Sequence, residues 1–259
     1  MLAVEHISFG YGQSDFLLSD VSFQVNKGDV ICILGPNGAG KTSLLKCLLG
    51  MAKVRKGTIK IKNLNLQSIS ARERAKAMAY VPQATTTVFP HKVLDMVLMG
   101  CTSHIGFTAA PSLKEERAAL EALTELGIAH LVDSMFSQIS GGERQLTLIG
   151  RALVQKAELL IMDEPTSSLD YGNQVRILKV ISRLANQGYS IIMTSHFPNQ
   201  AFLLCNKVLI MKAGKIKVFG SPDEVMTAEA LSELYTTKIH LTEIHVGQDK
   251  VKICVPLLA

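Results

Sequence analysis

Residues 35–42 read Gly-Pro-Asn-Gly-Ala-Gly-Lys-Thr, the G-x-x-x-x-G-K-[ST] spacing of a phosphate-binding loop. An apolar run, residues 30–34, comes directly before this loop, and a helix-like stretch, residues 43–49, comes directly after it. Glycines let backbone N–H groups curl around phosphate oxygens, and the following helix points the positive end of its dipole at the same anion. This strand–loop–helix order predicts an α/β fold built around a nucleoside triphosphate site.

The loop pattern predicts a role for its polar side chains. The Lys41 ammonium can reach the β- and γ-phosphates, and the Thr42 hydroxyl can bind Mg²⁺. We predict that the nucleotide contacts the whole run: Gly35, Pro36, Asn37, Gly38, Ala39, Gly40, Lys41, Thr42 and Ser43.

Composition narrows the class of protein. The chain has 259 residues, of which 47% are hydrophobic and 19% charged, enough for one large domain, or one domain with a subdomain, with a sizeable core. Its formal charge of +5 is not concentrated in a Lys/Arg block, so nucleic-acid binding is not expected.

The five cysteines form no C-x-x-C pair, which favours buried free thiols in a reducing compartment. No secretory signal and no run of ~18 apolar residues occur, so we expect a soluble, cytoplasmic protein.

The periodicity of apolar residues predicts the order of elements. Val21, Phe23 and Val25 alternate with polar residues, which indicates antiparallel strands near the N-terminus. Helices are predicted at 114–126, 141–157 and 175–185, strands at 159–162 and 190–194, and hairpins at 207–219 and 238–255. In the first of these helices, Leu120, Leu123 and Leu126 fall on one predicted face. The alternation predicts a mostly parallel core sheet, with an antiparallel β subdomain before it and a helical insertion over about residues 84–148.

Two further motifs carry chemistry. The apolar strand 159–162 ends in Asp163 and Glu164, and ligands in α/β folds bind at the carboxyl ends of strands. Asp163 could hold Mg²⁺ and Glu164 could act as general base, although a pair of helix-capping acids would look the same in isolation. Ser140, Gly141, Gly142 and Glu143 begin a predicted helix, which could be a second anion site or a simple N-cap.

The spacing of these motifs resembles that of ABC transporter ATPases. The sequence Ile-Ser-Gly-Gly-Glu resembles their L-S-G-G-Q signature and lies about twenty residues before the Asp-Glu strand, as in that family. The resemblance covers residues 1–235, and weaker motifs follow in the family's order. By resemblance, Tyr11 stacks on adenine, Gln83 binds Mg²⁺, Asp170 belongs to the loop at the dimer interface, and His196 contacts the γ-phosphate. A tyrosine in a turn or a histidine after a strand would more often be structural if it stood alone.

The resemblance also implies partners and cofactors. It implies ATP, Mg²⁺ and a homodimer in which the signature motif of one copy, Ser140 to Glu143, completes the ATP site of the other. It implies docking on a separate integral membrane permease dimer, at the cytoplasmic face of the membrane, which works with an extracytoplasmic substrate-binding protein. Residues 236–259 lie outside the resemblance and are predicted to form a β-like extension.

The stretch 93–100 resembles the segment of ATPases that serve siderophore, haem, vitamin B12 and molybdate importers. Cys101 stands at a position where these ATPases commonly have arginine. The sequence at 102–105 and at Phe107–Thr108 most resembles that of the molybdate or tungstate type. The same stretch also reads as an amphipathic helix. Two alternatives stay open: a soluble ABC ATPase acting on nucleic acid or a protein assembly, and a regulatory module without useful hydrolysis.

Overall fold

The structure, a computed structural model, describes residues 1–12, 16–83, 90–105, 110–247 and 249–257. Its strands are β1 Leu2–Phe9, β2 Leu18–Val25, β3 Val30–Leu34, β4 Lys56–Ile61, β5 Leu64–Asn65, β6 Met78–Val81, β7 Leu159–Met162, β8 Ser190–Ser195, β9 Lys207–Lys212, β10 Lys215–Gly220, β11 Ile239–Val246 and β12 Asp249–Pro256. Its α-helices are α1 Lys41–Leu48, α2 Ala71–Ala77, α3 Val93–Leu98, α4 Leu113–Glu125, α5 Gly141–Val154, α6 Tyr171–Asn186, α7 Pro198–Leu204, α8 Pro222–Val225 and α9 Ala228–Tyr235. Short 3-10 turns cover Met99–Ser103, Ala129–Leu131 and Phe136–Gln138.

The chain divides into two compact units, residues 1–68 with 190–259, and residues 69–189. The first unit contains an antiparallel sheet in the order β2-β1-β4-β5. Val21, Phe23 and Val25 are buried while the residues between them are exposed, because successive side chains of a strand point to opposite faces. The predicted antiparallel N-terminal strands are therefore confirmed.

The first unit also contains parallel strands. β3 pairs in parallel with both β8 and β9, and β10 returns antiparallel to β9 as the predicted hairpin. Every residue of β3 and β8 is buried, which is typical of parallel strands covered on both faces. This burial explains why residues 30–34 read as an unbroken apolar run.

The C-terminal segment forms the second predicted hairpin, in which β11 pairs antiparallel with β12. Gln248, between the two strands in the sequence, lies outside the described residues. The Asn199 carboxamide on α7 accepts a hydrogen bond from the Cys254 N–H at 2.7 Å and donates one to the Cys254 carbonyl at 3.4 Å. A salt bridge of 2.6 Å joins Lys252 on β12 to Asp223 on α8. The hairpin is thus attached to helices of its own unit.

In the second unit, β6 and β7 pair in parallel, and α5 packs against α3, α4 and α6. Leu146, Ile149 and Leu153, which are spaced along one face of α5, are buried. On α4, Leu123 is buried, but Leu120, which the sequence puts on the same helix face, is 43% exposed. The buried stripe of α4 is Ala119, Ala122 and Leu123, which are i, i+3 and i+4 neighbours.

All five cysteines carry free thiols, four of them buried, as their spacing predicted. None of the helices in the described ranges is both long and apolar enough to cross a bilayer. The predicted limits of an ATPase domain at 1–235, a helical subdomain at 84–148 and an extension at 236–259 stay predictions, and residues 84–89 lie outside the described ones.

Candidate functional site

The loop at 35–42 leaves β3 and enters α1. It passes so close to β9 that a Cβ added at Gly35 would lie 2.5 Å from the Met211 carbonyl oxygen. The first turn of α1 contains no acidic residue, so the positive end of the helix dipole is not neutralised there. A tightly packed loop at a positively polarised helix end has the features of an anion-binding site.

Lys41 is buried, and its ammonium bends back over the loop. Nζ donates hydrogen bonds to the Gly35 carbonyl at 2.7 Å and to the Pro36 carbonyl at 3.2 Å. The cation is therefore held at the loop by the loop's own backbone. Thr42 is exposed and Ser43 half-buried at the beginning of α1.

His196 and the phosphate-binding loop both follow the carboxyl ends of parallel strands. Leu34 and Ser195 are register partners at the ends of the parallel strands β3 and β8, so Gly35 and His196 each follow a paired strand end. The His196 ring contacts Phe197 with ring centroids 4.0 Å apart. A local turn, in which the Phe197 N–H donates to the Ser195 hydroxyl at 3.0 Å, directs the chain as it leaves β8.

Tyr11, the predicted adenine-stacking residue, belongs to the same unit. Its side chain is 55% exposed, and its ring meets Phe9 edge-on at 4.9 Å between centroids. An aromatic ring supported at one edge by a buried strand residue keeps exposed surface for stacking.

Two of the predicted Mg²⁺ ligands, Gln83 and Asp163, and the predicted base Glu164 lie in the second unit, just after the paired ends of β6 and β7. Val81 and Met162 are register partners, and the Asp163 N–H donates to the Val81 carbonyl at 2.9 Å. Asp163 is buried and Glu164 half-buried. Burial, and next the charge of Asp163, raise the pKa of Tyr80 on β6 to about 12.

Glu164 has a left-handed backbone, with φ of 44°. Such a conformation in a residue other than glycine costs on the order of 1–2 kcal/mol and is concentrated at functional sites. The Glu164 carbonyl accepts two hydrogen bonds from Ser167, from its N–H at 3.1 Å and from its hydroxyl at 2.8 Å. The same hydroxyl accepts a hydrogen bond of 2.8 Å from Nε2 of Gln83.

The Ser140–Glu143 motif begins α5 in the second unit as an N-terminal capping box. The Ser140 hydroxyl accepts from the Glu143 N–H at 3.3 Å, and the Glu143 carboxylate accepts from the Ser140 N–H at 2.8 Å. Hydrogen bonding of the Glu143 carboxylate by the Ser140 side chain, and next by the Ser140 N–H, lowers the pKa of Glu143. The N-cap alternative considered for this motif is therefore realised, and it is compatible with a further role at an interface.

Gly142 leaves no room for a side chain. A Cβ added there would lie 2.3 Å from Oδ1 of Asn173 on α6. Asn173 in turn donates from its backbone N–H (2.9 Å) and from Nδ2 (2.6 Å) to the Asp170 carboxylate, and these bonds lower the pKa of Asp170. The signature glycine and the predicted interface loop are thus packed together within one chain.

Sequence reasoning missed Ser167 and Asn173. Both occupy positions that carry no motif, and each contacts a motif residue that is distant in the sequence, as Gln83 and Ser167 are 84 residues apart. The sequence offered one signal, the run of hydroxyl residues 166–168, which is separated from the two acids by Pro165.

The sequence pattern of the ABC transporter family matches residues 18–167, more than half of the chain. The chain belongs to the ABC transporter family. This ABC protein is 38% identical over 235 residues to the molybdate import ATP-binding protein MolC of Haemophilus influenzae, covering 90% of this chain and 87% of the relative. It is also 38% identical to a probable iron chelatin transport ATP-binding protein of Helicobacter pylori, covering 92% and 94%.

The structural comparison agrees with the sequence comparison. A solved inward-facing conformation of a putative metal-chelate type ABC transporter superimposes with a TM-score of 0.88 at 34% identity, covering 99% of this chain and 96% of that one. The prediction of an ABC-type P-loop fold is confirmed, and with it the prediction of an ATP-binding, ATP-hydrolysing transport subunit. The alternatives of a non-transport ATPase and of an inactive module gain no support from these relatives.

Proposed function

We propose that this ABC ATPase energises the import of a metal chelate or an oxyanion such as molybdate. The observation that carries the proposal is the alignment of a molybdate import and a probable iron chelatin transport ATP-binding protein along 90% or more of the chain. The names of these relatives give two different cargo classes, molybdate and iron chelates. We propose that the cargo of this chain belongs to one of these two classes.

In this proposal the loop from Gly35 to Ser43 holds the phosphates of ATP, with Lys41 neutralising their charge. Thr42, Gln83 and Asp163 supply hydroxyl, amide and carboxylate oxygens, the hard ligands that Mg²⁺ prefers. The cation would neutralise charge on the β- and γ-phosphates.

Glu164 is proposed as the general base that polarises the attacking water, and His196 as the contact to the γ-phosphate. The left-handed backbone of Glu164 supports this role, because strained residues persist where the surrounding contacts hold them for function. Tyr11 is proposed to stack on the adenine ring.

The working unit is proposed to be a homodimer on a separate membrane permease dimer, at the cytoplasmic face of the membrane. The signature motif of each copy, Ser140 to Glu143, would meet the ATP bound to the other copy, and Asp170 would lie at that interface. An extracytoplasmic substrate-binding protein would deliver cargo to the permease. Hydrolysis would then weaken the dimer by removing the phosphate that both copies bind.

The catalytic part of the proposal is tested with Glu164→Gln, which removes the base and keeps the side-chain shape. ATP affinity by calorimetry should be retained, while phosphate release should fall about 100-fold or more, the usual contribution of a general base. Glu121→Gln, at an exposed position on α4, is the matched control. Phosphate release at the wild-type rate from Glu164→Gln would remove Glu164 from the mechanism.

The cargo part is tested by purifying the tagged chain from membranes of its own cell and reconstituting the complex that accompanies it. The ATPase rate is measured with the binding protein plus molybdate, a ferric chelate or neither. Stimulation by one cargo identifies the class. Recovery without any integral membrane protein, or with bound nucleic acid, would refute the transport assignment.

A further inference from the structure

We propose that Ser167 is a positioning residue for ATP hydrolysis, orienting the Gln83 carboxamide and anchoring the Glu164 backbone through one hydroxyl. The inference rests on the proposed roles of Gln83 as a Mg²⁺ ligand and of Glu164 as the base. It adds a residue to the mechanism that lies in neither the phosphate loop nor the Asp-Glu pair.

The orientation of Gln83 follows from the proton of the Ser167 hydroxyl. A serine hydroxyl has one proton to donate and two lone pairs to accept with. The proton is directed at the Glu164 carbonyl, 2.8 Å away, so only lone pairs face Gln83. Gln83 must therefore present its Nε2 group, which donates over 2.8 Å. Its carboxamide oxygen, the atom that can bind a cation, is left pointing elsewhere.

Ser167 also acts on Glu164. Its N–H and its hydroxyl both bind the Glu164 carbonyl, and Glu164 has a φ of 44°. A strained backbone persists only where neighbouring contacts hold it. The hydroxyl thus links the two residues that the mechanism needs in fixed positions, although Gln83 is 84 residues away in the sequence.

The structure offers a matched control for the local part of this arrangement. Exposed Ser68 donates its hydroxyl to the Asn65 carbonyl at 2.8 Å and its N–H to the same oxygen at 3.0 Å, as Ser167 does to Glu164. No glutamine donates to the Ser68 hydroxyl within the described residues. Ser68→Ala therefore removes the same turn bond without touching a motif residue.

The test compares Ser167→Ala, Ser167→Thr, Gln83→Ala and the double variant Gln83→Ala/Ser167→Ala in the full chain, with Ser68→Ala as control. In Ser167→Ala, the Mg²⁺ concentration for half-maximal hydrolysis should rise about five- to tenfold, the worth of one ordinary hydrogen bond. The KM for ATP at saturating Mg²⁺ and the ATP affinity measured in EDTA should not change. Ser167→Thr, which keeps the hydroxyl, should restore the wild-type Mg²⁺ requirement, and Ser68→Ala should match the wild type.

A second readout does not depend on turnover. In the Glu164→Gln background, calorimetry at stepped Mg²⁺ concentrations should show the same five- to tenfold shift on adding Ser167→Ala. Because Ser167 acts on Mg²⁺ through Gln83, the double variant should need no more Mg²⁺ than Gln83→Ala alone. A wild-type Mg²⁺ requirement in Ser167→Ala, or additive shifts in the double variant, would overturn the inference. Failure of the wild-type chain to bind ATP would instead overturn the proposed function.

Discussion

Replacing Gly142 with alanine perturbs one well-defined contact. The added methyl group would lie 2.3 Å from Oδ1 and 2.5 Å from Cγ of Asn173, distances that no side chain tolerates. Asn173 must therefore turn away, which breaks its 2.6 Å hydrogen bond to the Asp170 carboxylate. Gly142 is buried at the beginning of α5, so the methyl group has no route to solvent.

The expected loss of stability is about 2 kcal/mol. Overpacking costs about 1–3 kcal/mol, and the lost hydrogen bond adds little because Asp170 is exposed to solvent. The higher helix propensity of alanine returns up to about 1 kcal/mol. For a chain of this size, each kcal/mol lowers the melting temperature by about 2–4 °C, so Gly142→Ala should melt about 4–8 °C lower.

Thermal unfolding followed by circular dichroism measures this shift. Gly141→Ala is the control, because its methyl group would meet the flexible ends of two side chains, Leu169 at 3.3 Å and Arg144 at 4.0 Å, and it should cost less than about 0.5 kcal/mol. In an Asn173→Ala background the clash partner is shortened, so Gly142→Ala should cost under about 1 kcal/mol there. An equal cost of Gly142→Ala in both backgrounds would refute the packing argument.

Three further predictions address other parts of the chain. Gly35→Ala would place a methyl group 2.5 Å from a backbone carbonyl of β9 and should lower ATP affinity by about tenfold or more by calorimetry, and an unchanged affinity would contradict the close packing of the loop. Asn199→Ala should speed amide hydrogen exchange in β12 by about fivefold, the worth of one hydrogen bond, without changing ATP affinity; equal exchange would show that the contact does not hold the hairpin. Burial raises the pKa of the Cys47 thiol from 9.0 to about 12. Between these pH values the thiol is deprotonated in the unfolded chain but still protonated in the folded chain. The free energy of unfolding should therefore fall as pH rises through this range. Urea titrations at stepped pH test this, and Cys47→Ala should show a shallower slope.

Elements with a strong local signal could be predicted from the sequence. The strand at Leu159–Met162 has the predicted limits because four apolar residues are bounded by charged ones on both sides. The tail hairpin followed from alternation around a glycine. Leu120 is exposed although Leu123 is buried. The face of α4 that the three leucines define is wider than the stripe that packs against α5.

Contacts made by carboxamides and hydroxyls could not be predicted. Asn173 and Ser167 have no periodicity, and their partners are chosen by the packing of helices and loops rather than by neighbouring residues. The left-handed backbone of Glu164 was equally hidden, since a residue other than glycine gives no local indication of a positive φ. The motifs located the candidate site, and tertiary packing determined how its residues are held.

The hydrogen bonds from Asn199 to the C-terminal hairpin have an evolutionary consequence. The carboxamide binds the main-chain N–H and carbonyl of Cys254, groups that every residue other than proline possesses. Substitutions at position 254 therefore leave this attachment intact, and the tail can diverge in sequence while α7 keeps its asparagine. Among homologues we expect the asparagine to vary less than the residue that it binds.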